Sequence, residues 1–351
     1  MLGVKIRPIL IALACPLLCE CGTTTGHSLS DHYDGRKFFN PHHREEPGLW
    51  ETVRMLAGLR YQKWPDSVEN KPALNLNSAL APGQVAITFV NHATVLIQLP
   101  GLNILTDPVW SERVSPLGWV GPRRVRAAGI DFDALPRIDL VIVSHNHYDH
   151  MDLAVLRKLN ERFSPRVLVP LGNKALLNAE GIDKVEELDW WDTSAANPQT
   201  AVTLTPTRHF SSRGLFDRNK ALWGSYLIKS HGRSIYFGGD TAYSNDFKEI
   251  RSRFGPIDIA LLPIGAYEPR WFMQAFHLNP AEAVQAHLDL KSRQSIGIHF
   301  GTFQLTEEEI DAPVRELGAA LAKANLAPKS FVTLSEGVTT IYSMGASASA
   351  L

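Results

Sequence analysis

The apolar run Ile138–Ser144 leads straight into His145-Asn-His147-Tyr-Asp149-His150, so this chain must end a buried strand in three imidazoles and a carboxylate. Such a cluster is hard to place in a core, because each buried polar group left without a partner costs about 1–3 kcal/mol. A divalent cation supplies that partner. If the backbone turns sharply after Ser144, His145 and His147 can pinch one ion, while Asp149 and His150 emerge on the next turn to reach a second. Nitrogen and carboxylate donors without thiolate suit Zn²⁺, and Fe or Mn accept the same set. A His-rich solvated loop is the competing reading, and the density of ligand types argues against it.

With 351 residues, 44% of them hydrophobic, the chain can bury one large core behind an N-terminal extension. The net charge is -1 and the 35 basic residues are dispersed, so no nucleic-acid partner is expected. Lys5 and Arg7 precede the apolar run Pro8–Leu18, which is short for a bilayer span and suits a secretory signal or lipoprotein-type anchor over 1–21. Cys15, Cys19 and Cys21 all fall in or just after it, leaving the mature domain without a disulfide. Ala12-Leu-Ala-Cys15 resembles a bacterial lipoprotein cleavage site, and Leu18-Cys19-Glu-Cys21-Gly resembles the start of a tether. Plain secretion and an uncleaved anchor stay open beside lipidation. The expectation is an exported bacterial protein of the periplasm or outer membrane, meeting the membrane surface through this segment.

From 22 to 82 the chain reads as a linker followed by a segment packed on the main domain. Trp50 to Tyr61 forms a short amphipathic helix in this reading, and His27, His32, His42 and His43 are solvent-exposed. The main domain is expected over 83–343, with a tail at 344–351. Its strands are expected at Val85–Val90, Thr94–Leu99, Leu102–Thr106, Asp139–Ser144, Arg166–Pro170, Ala201–Thr207, Gly224–Ile228, Ser234–Gly238, Asp258–Ile264 and Gln294–His299. A helix follows the histidine cluster from Asp152 to Phe163. Asn279-Pro280-Ala-Glu282 and Thr306-Glu-Glu-Glu309 carry capping-box starts for two more. Strands followed by helices in each half imply an α/β chain with two sheets face to face and helices outside, an αβ/βα layering.

Further donors for the cluster should stand at strand ends, where loops bring them to a common point. His209, Asp240 and His299 each follow an apolar run. With His145, His147, Asp149 and His150 they make seven donors, enough for two ions. Taken singly, His209 and His299 would read as core histidines; the intact first motif reverses that preference. Asp107, after Asn103-Ile-Leu-Thr106, is placed to accept a hydrogen bond from a ligating imidazole and fix its tautomer. The alternative is that Asp107-Pro108 merely starts a turn.

His-x-His-x-Asp-His, a strand-end His, a Gly-Asp and a final strand-end His resemble the metallo-β-lactamase superfamily. Leu105-Thr-Asp-Pro-Val-Trp110, Leu222-Trp-Gly-Ser225, Ile264 to Met273 and Ile298-His-Phe-Gly-Thr302 resemble N-acylphosphatidylethanolamine-hydrolysing phospholipase D and its bacterial outer-membrane relatives. The resemblance implies a four-layer αβ/βα sandwich holding two Zn²⁺. It assigns His145, His147 and His209 to the first ion, Asp149, His150 and His299 to the second, and Asp240 as a bridge shared with a hydroxide. By the same resemblance His92 and His277 lie near the site, His277 meeting a phosphate or leaving group unless it only supports the helix that follows. Asp149, Asp240 and His277 are thus the catalytic candidates. The expected reaction is phosphodiester hydrolysis of a phospholipid, with Tyr267, Trp271, Phe272, Met273 and Phe276 as candidate acyl contacts or plain core. A lactonase or other hydrolase of small-molecule esters, and an envelope protein that binds metal or lipid without turnover, are the alternatives.

Overall fold

The computed structural model describes residues 29–41, 47–70, 80–81 and 83–343. The signal or anchor at 1–21, the histidines His27, His42 and His43, and the tail at 344–351 lie outside the described residues. Helix α1 spans Leu49–Gly58, ending before the expected Tyr61.

The first sheet opens with an antiparallel meander of β1 (Gln84–Asn91), β2 (Thr94–Leu99) and β3 (Leu102–Thr106). It continues in parallel through β4 (Leu140–Ile142), β5 (Arg166–Pro170) and β6 (Val185–Leu188). Helices α2 (Leu153–Phe163) and α3 (Lys174–Ala179) are the crossovers that parallel pairing requires. The second sheet holds β7 (Thr193–Asn197), β8 (Thr200–Thr205), β9 (Ser225–Ser230) and β10 (Arg233–Phe237). After α4 (Asp246–Phe254) come β11 (Ile259–Pro263), α5 (Arg270–Met273), α6 (Pro280–Asp289), β12 (Gln294–Ile298), α7 (Ala312–Lys323) and β13 (Phe331–Thr333). The last strand, β14 (Thr339–Ser343), returns to the first sheet, giving orders β14-β1-β2-β3-β4-β5-β6 and β13-β12-β11-β10-β9-β8-β7.

Strand periodicity divides the core into three slabs. Ile87, Phe89, Ile97, Ile104, Ile142 and Leu168 face Leu204, Tyr226, Ile235, Phe237, Leu261 and Ile296 between the sheets. Their neighbours Val90, Leu96, Leu105, Val141 and Val167 point the other way, onto Val155, Leu156 and Leu159 of α2. On the far side Leu227, Tyr236, Ala260 and Leu262 pack on Phe247 of α4, Val284 of α6 and Leu317 of α7. Strands buried on both faces read as continuous apolar runs, which is why the central ones were legible. The result is the expected metallo-β-lactamase αβ/βα four-layer sandwich.

Three expectations need correction or completion. The capping box at Asn279 and Glu282 forms, but Thr306 starts no helix. Glu308 instead accepts from the backbone N–H of Ala266 at 2.6 Å and of Glu268 at 3.2 Å. Pro313, whose ring would clash with the carbonyl of Glu309 inside a helix begun at Thr306, delays α7 to Ala312. His32 is not solvent-exposed: it is buried, its ring stacks on Trp190 at 4.3 Å, and it bridges Asp31 at 2.6 Å and Asp189 at 2.7 Å. The strands β6, β7, β13 and β14, none of them anticipated, are the four sheet edges.

Candidate metal centre

Every candidate donor leaves a strand at the same end of the sandwich. His92 sits in the β1–β2 turn, Asp107 follows β3, and His145 to His150 follow β4; His209, Asp240 and His299 follow β8, β10 and β12. The two sheets must therefore close on one another at this end. Gly239 allows it: its φ is +55°, and a Cβ there would lie 2.5 Å from the Ser144 Cβ, so no larger residue fits between Asp240 and the histidine loop.

The carboxylate of Asp240 lies at the centre, almost fully buried. His150 Nε2 is 3.1 Å from its Oδ2 and His299 Nε2 is 3.1 Å from its Oδ1. His209, His277 and His145 present Nε2 to the same Oδ2 at 3.8, 3.9 and 4.0 Å. Yet His150 Nε2, His299 Nε2 and Asp240 Oδ1 make no aligned hydrogen bond. Atoms that converge without hydrogen-bond alignment are arranged for a shared cation. Among the described residues four overlapping donor groups have ligand atoms within 4.8 Å of one another: His145, His147 and His209; His92, Asp149, His150 and His299; Asp107, His145 and His150; and His209, Asp240 and His277.

Surrounding hydrogen bonds orient the imidazoles. Asp107 accepts from the Ser144 N–H at 2.7 Å and, through its other oxygen, from the Ser144 hydroxyl and His150 Nδ1, both at 2.6 Å. Having donated to Asp107, that hydroxyl accepts from His145 Nδ1 at 2.9 Å. His209 Nδ1 donates to the Phe276 carbonyl at 3.0 Å. These pairings assign the proton to Nδ1 in His145, His150 and His209, so each turns its Nε2 lone pair to the centre. His147 points Nδ1 inward instead, 2.8 Å from His145 Nε2 and 3.3 Å from His209 Nε2. Asp107 is thus occupied as an orienting group. His92 is hydrogen-bonded to Asp149 Oδ2 at 3.0 Å and so holds that carboxylate. His277 stands on the side of Asp240 that faces His209, the two rings 5.1 Å apart.

Electrostatics favour positive charge at this point. Burial pushes His92, His147, His209 and His277 down to about 3, keeping them neutral and able to coordinate. Burial alone would raise Asp149 and Asp240, but His150 and its neighbours outweigh it and hold both well below the usual carboxylate range. The paired carboxylates demand a compensating charge, from protons on His150 and His299 or from divalent cations. Donor type, convergence and charge all fit the latter.

Several neighbours of the site carried no sequence signal. Phe210 packs edge-on to His147 at 4.5 Å and joins Phe272, Met273, Ala275, Phe276 and Met55 in a small apolar cluster. Tyr267 is buried away from this cluster, and Trp271 is 44% exposed at its rim. Arg213, four residues beyond His209, reaches back to the histidine loop.

Residues 102–300 match the β-lactamase superfamily domain. The N-acyl-phosphatidylethanolamine-hydrolyzing phospholipase D 1 of Caenorhabditis elegans is 39% identical over 263 residues, covering 71% of this chain and 74% of the worm protein. Outer membrane protein RomA of Klebsiella pneumoniae is 41% identical over 106 residues, covering 30% of this chain and 78% of RomA. Among solved structures, the metallo hydrolase Igni18 of Ignicoccus hospitalis superposes with a TM-score of 0.57 at 20% identity, covering 74% of this chain and 98% of Igni18, a likeness of fold. The chain therefore belongs to the β-lactamase superfamily as a metal-dependent hydrolase, in the group that includes the N-acyl-phosphatidylethanolamine-hydrolysing phospholipases D.

Proposed function

We propose that this protein is a dinuclear zinc phosphodiesterase that cleaves N-acylphosphatidylethanolamine-like phospholipids at the bacterial envelope. The observation that carries the reading is the buried Asp240 carboxylate ringed by five imidazole Nε2 atoms, with further donors on either side. His145, His147 and His209 would hold the first ion and Asp149, His150 and His299 the second, with Asp240 shared. Two cations held there would supply Lewis-acid chemistry, lowering the pKa of a water and polarising a phosphoryl oxygen.

The chain's own groups supply the rest. Asp107 fixes His150 directly and His145 through Ser144, and His92 holds Asp149 in place. His277, neutral and beside Asp240, is set to hydrogen-bond a phosphoryl or leaving-group oxygen. Phe210, Phe272, Met273 and Phe276 form an apolar wall next to His209 and His277, suited to acyl chains. The relative's name supports the substrate class, and RomA's name together with the Lys5 to Cys21 segment supports the location, with lipidation at a cysteine as the tether.

The test is a preparation from about residue 29 onward, analysed for bound metal and assayed on vesicles of N-acylphosphatidylethanolamine, on a simple phosphodiester and on a lactone. Two zinc ions with release of N-acylethanolamine phosphate is the expected result. Turnover of the lactone alone would replace the substrate assignment, and no turnover by fully metallated protein would defeat the reading.

A further inference from the structure

The first donor set is split between the two sheets. His145 and His147 belong to the loop after β4 in the first sheet, whereas His209 belongs to the loop after β8 in the second. Whatever fixes one loop against the other sets the spacing of these three nitrogens. Arg213 does so by direct contact. Its Nη1 donates to the carbonyl of Asn146 at 2.8 Å and to that of Met151 at 2.9 Å, the two peptide groups that bracket His147, Asp149 and His150. Its guanidinium lies 4.0 Å from the centre of the Tyr148 ring, and the Tyr148 hydroxyl donates back to the Arg213 carbonyl at 2.9 Å.

The Arg213 end of this tie is itself braced. Asp217 accepts from the backbone N–H of Arg213 at 3.1 Å and of Gly214 at 2.8 Å, and from the Ser212 hydroxyl at 3.2 Å. Among the ion pairs of the described residues none includes Arg213; its charge goes to two carbonyls and an aromatic face of the histidine loop. A cation stacked on a ring while both hydrogens of one nitrogen are spent on backbone carbonyls is a geometry that lysine, a shorter point charge, does not reproduce.

We infer that Arg213 is the positioning residue that holds His209 in register with His145 and His147, so that affinity for the first ion depends on it. This inference rests on the metal reading above. Outer groups that orient metal ligands typically contribute 10–100-fold in affinity, and a loss in that range, roughly, is expected here.

The experiment titrates metal-free wild-type protein, Arg213→Lys and Arg213→Ala with cobalt(II), following the d–d absorbance and competing with a chelator. The expected result is weakened binding at the three-imidazole set in both variants, clearly larger than any change at the second set, and partial restoration of Arg213→Ala by millimolar methylguanidinium. Native affinity at both sets in Arg213→Ala overturns the inference. Equal weakening of both sets together with a lowered unfolding temperature of the metal-free variant also overturns it, since Arg213 would then only support the fold. A wild-type chain that takes up no cobalt sinks the metal reading itself and this inference with it.

Discussion

Asp107→Asn changes one atom and should reverse the hydrogen-bond polarity of half the metal centre. The Ser144 N–H, fixed in the backbone, requires an acceptor 2.7 Å away, so the asparagine carbonyl takes the place of Oδ1. The amide nitrogen then occupies the Oδ2 position, where the Ser144 hydroxyl and His150 Nδ1 both now donate from 2.6 Å. Facing a donor, His150 must accept through Nδ1 and carry its proton on Nε2. The Ser144 hydroxyl must likewise accept from the amide and turn its hydrogen toward His145 Nδ1, moving that proton to Nε2 as well. One donor in each set would then point an N–H at the centre. The opposite amide orientation leaves the buried Ser144 N–H facing another donor, at a cost of about 1–3 kcal/mol.

Neither outcome removes packing, so the metal-free fold should survive while both ions bind more weakly. A loss of roughly 10–100-fold per ion is expected, equivalent to about 1.4–2.8 kcal/mol each. Zinc competition against a calibrated chelator measures this, with far-ultraviolet circular dichroism of the metal-free protein as the fold control. If Asp107→Asn binds both ions with wild-type affinity, the tautomer argument is wrong.

Two other outcomes follow from single positions. Gly239→Ala must adopt a left-handed backbone at about 1–2 kcal/mol and displace Ser144 from 2.5 Å contact, so denaturant unfolding should show a loss of at least that size and metal analysis a reduced content. His32 is lowered by burial, but Asp189 and Asp31 outweigh this and raise it above its ordinary 6.5. A raised folded-state value means the stabilisation is complete below pH 6.5 and fades as pH climbs through the folded value. The gap in unfolding temperature between wild type and His32→Gln should therefore be widest on the acid side and close on the alkaline side; a gap constant with pH would contradict it.

What could be read from the chain and what could not divides along physical lines. Ten strands were legible because central strands buried on two faces are apolar along their length, while the four missed are edges with sequences such as Thr193-Ser-Ala-Ala-Asn197 and Thr339-Thr-Ile-Tyr-Ser343. An edge strand has one partner and one open side, so polar residues suit it and erase the pattern. The candidate donors stood out because so dense a run of imidazoles and carboxylates finds few partners in a core, and the structure brings their side chains to one point. Ser144, Arg213 and Phe210 did not stand out, since each is an ordinary residue whose role comes from contacts such as Arg213 to Asn146, 67 positions apart. His32 misled for the same reason: Asp189, its partner, is 157 positions away.

Local rules also fail in an informative way at the centre itself. His92, Asp107 and His299 adopt left-handed backbone with φ of 45°, 32° and 61°, each at a cost on the order of 1–3 kcal/mol, where glycine would sit without strain. Each is held by its own amide: His92 donates to the Thr302 hydroxyl at 3.0 Å, Asp107 to the Ile142 carbonyl at 3.0 Å, and His299 to the His92 carbonyl at 2.7 Å. The strained turns aim one imidazole at Asp149, one carboxylate at His150 and one imidazole at Asp240. Glycine would relieve the backbone and lose all three side chains. Of the ten non-glycine residues with left-handed backbone among the described residues, these three carry their side chains to Asp149, His150 and Asp240, so the strain they hold serves the placement of those groups rather than stability.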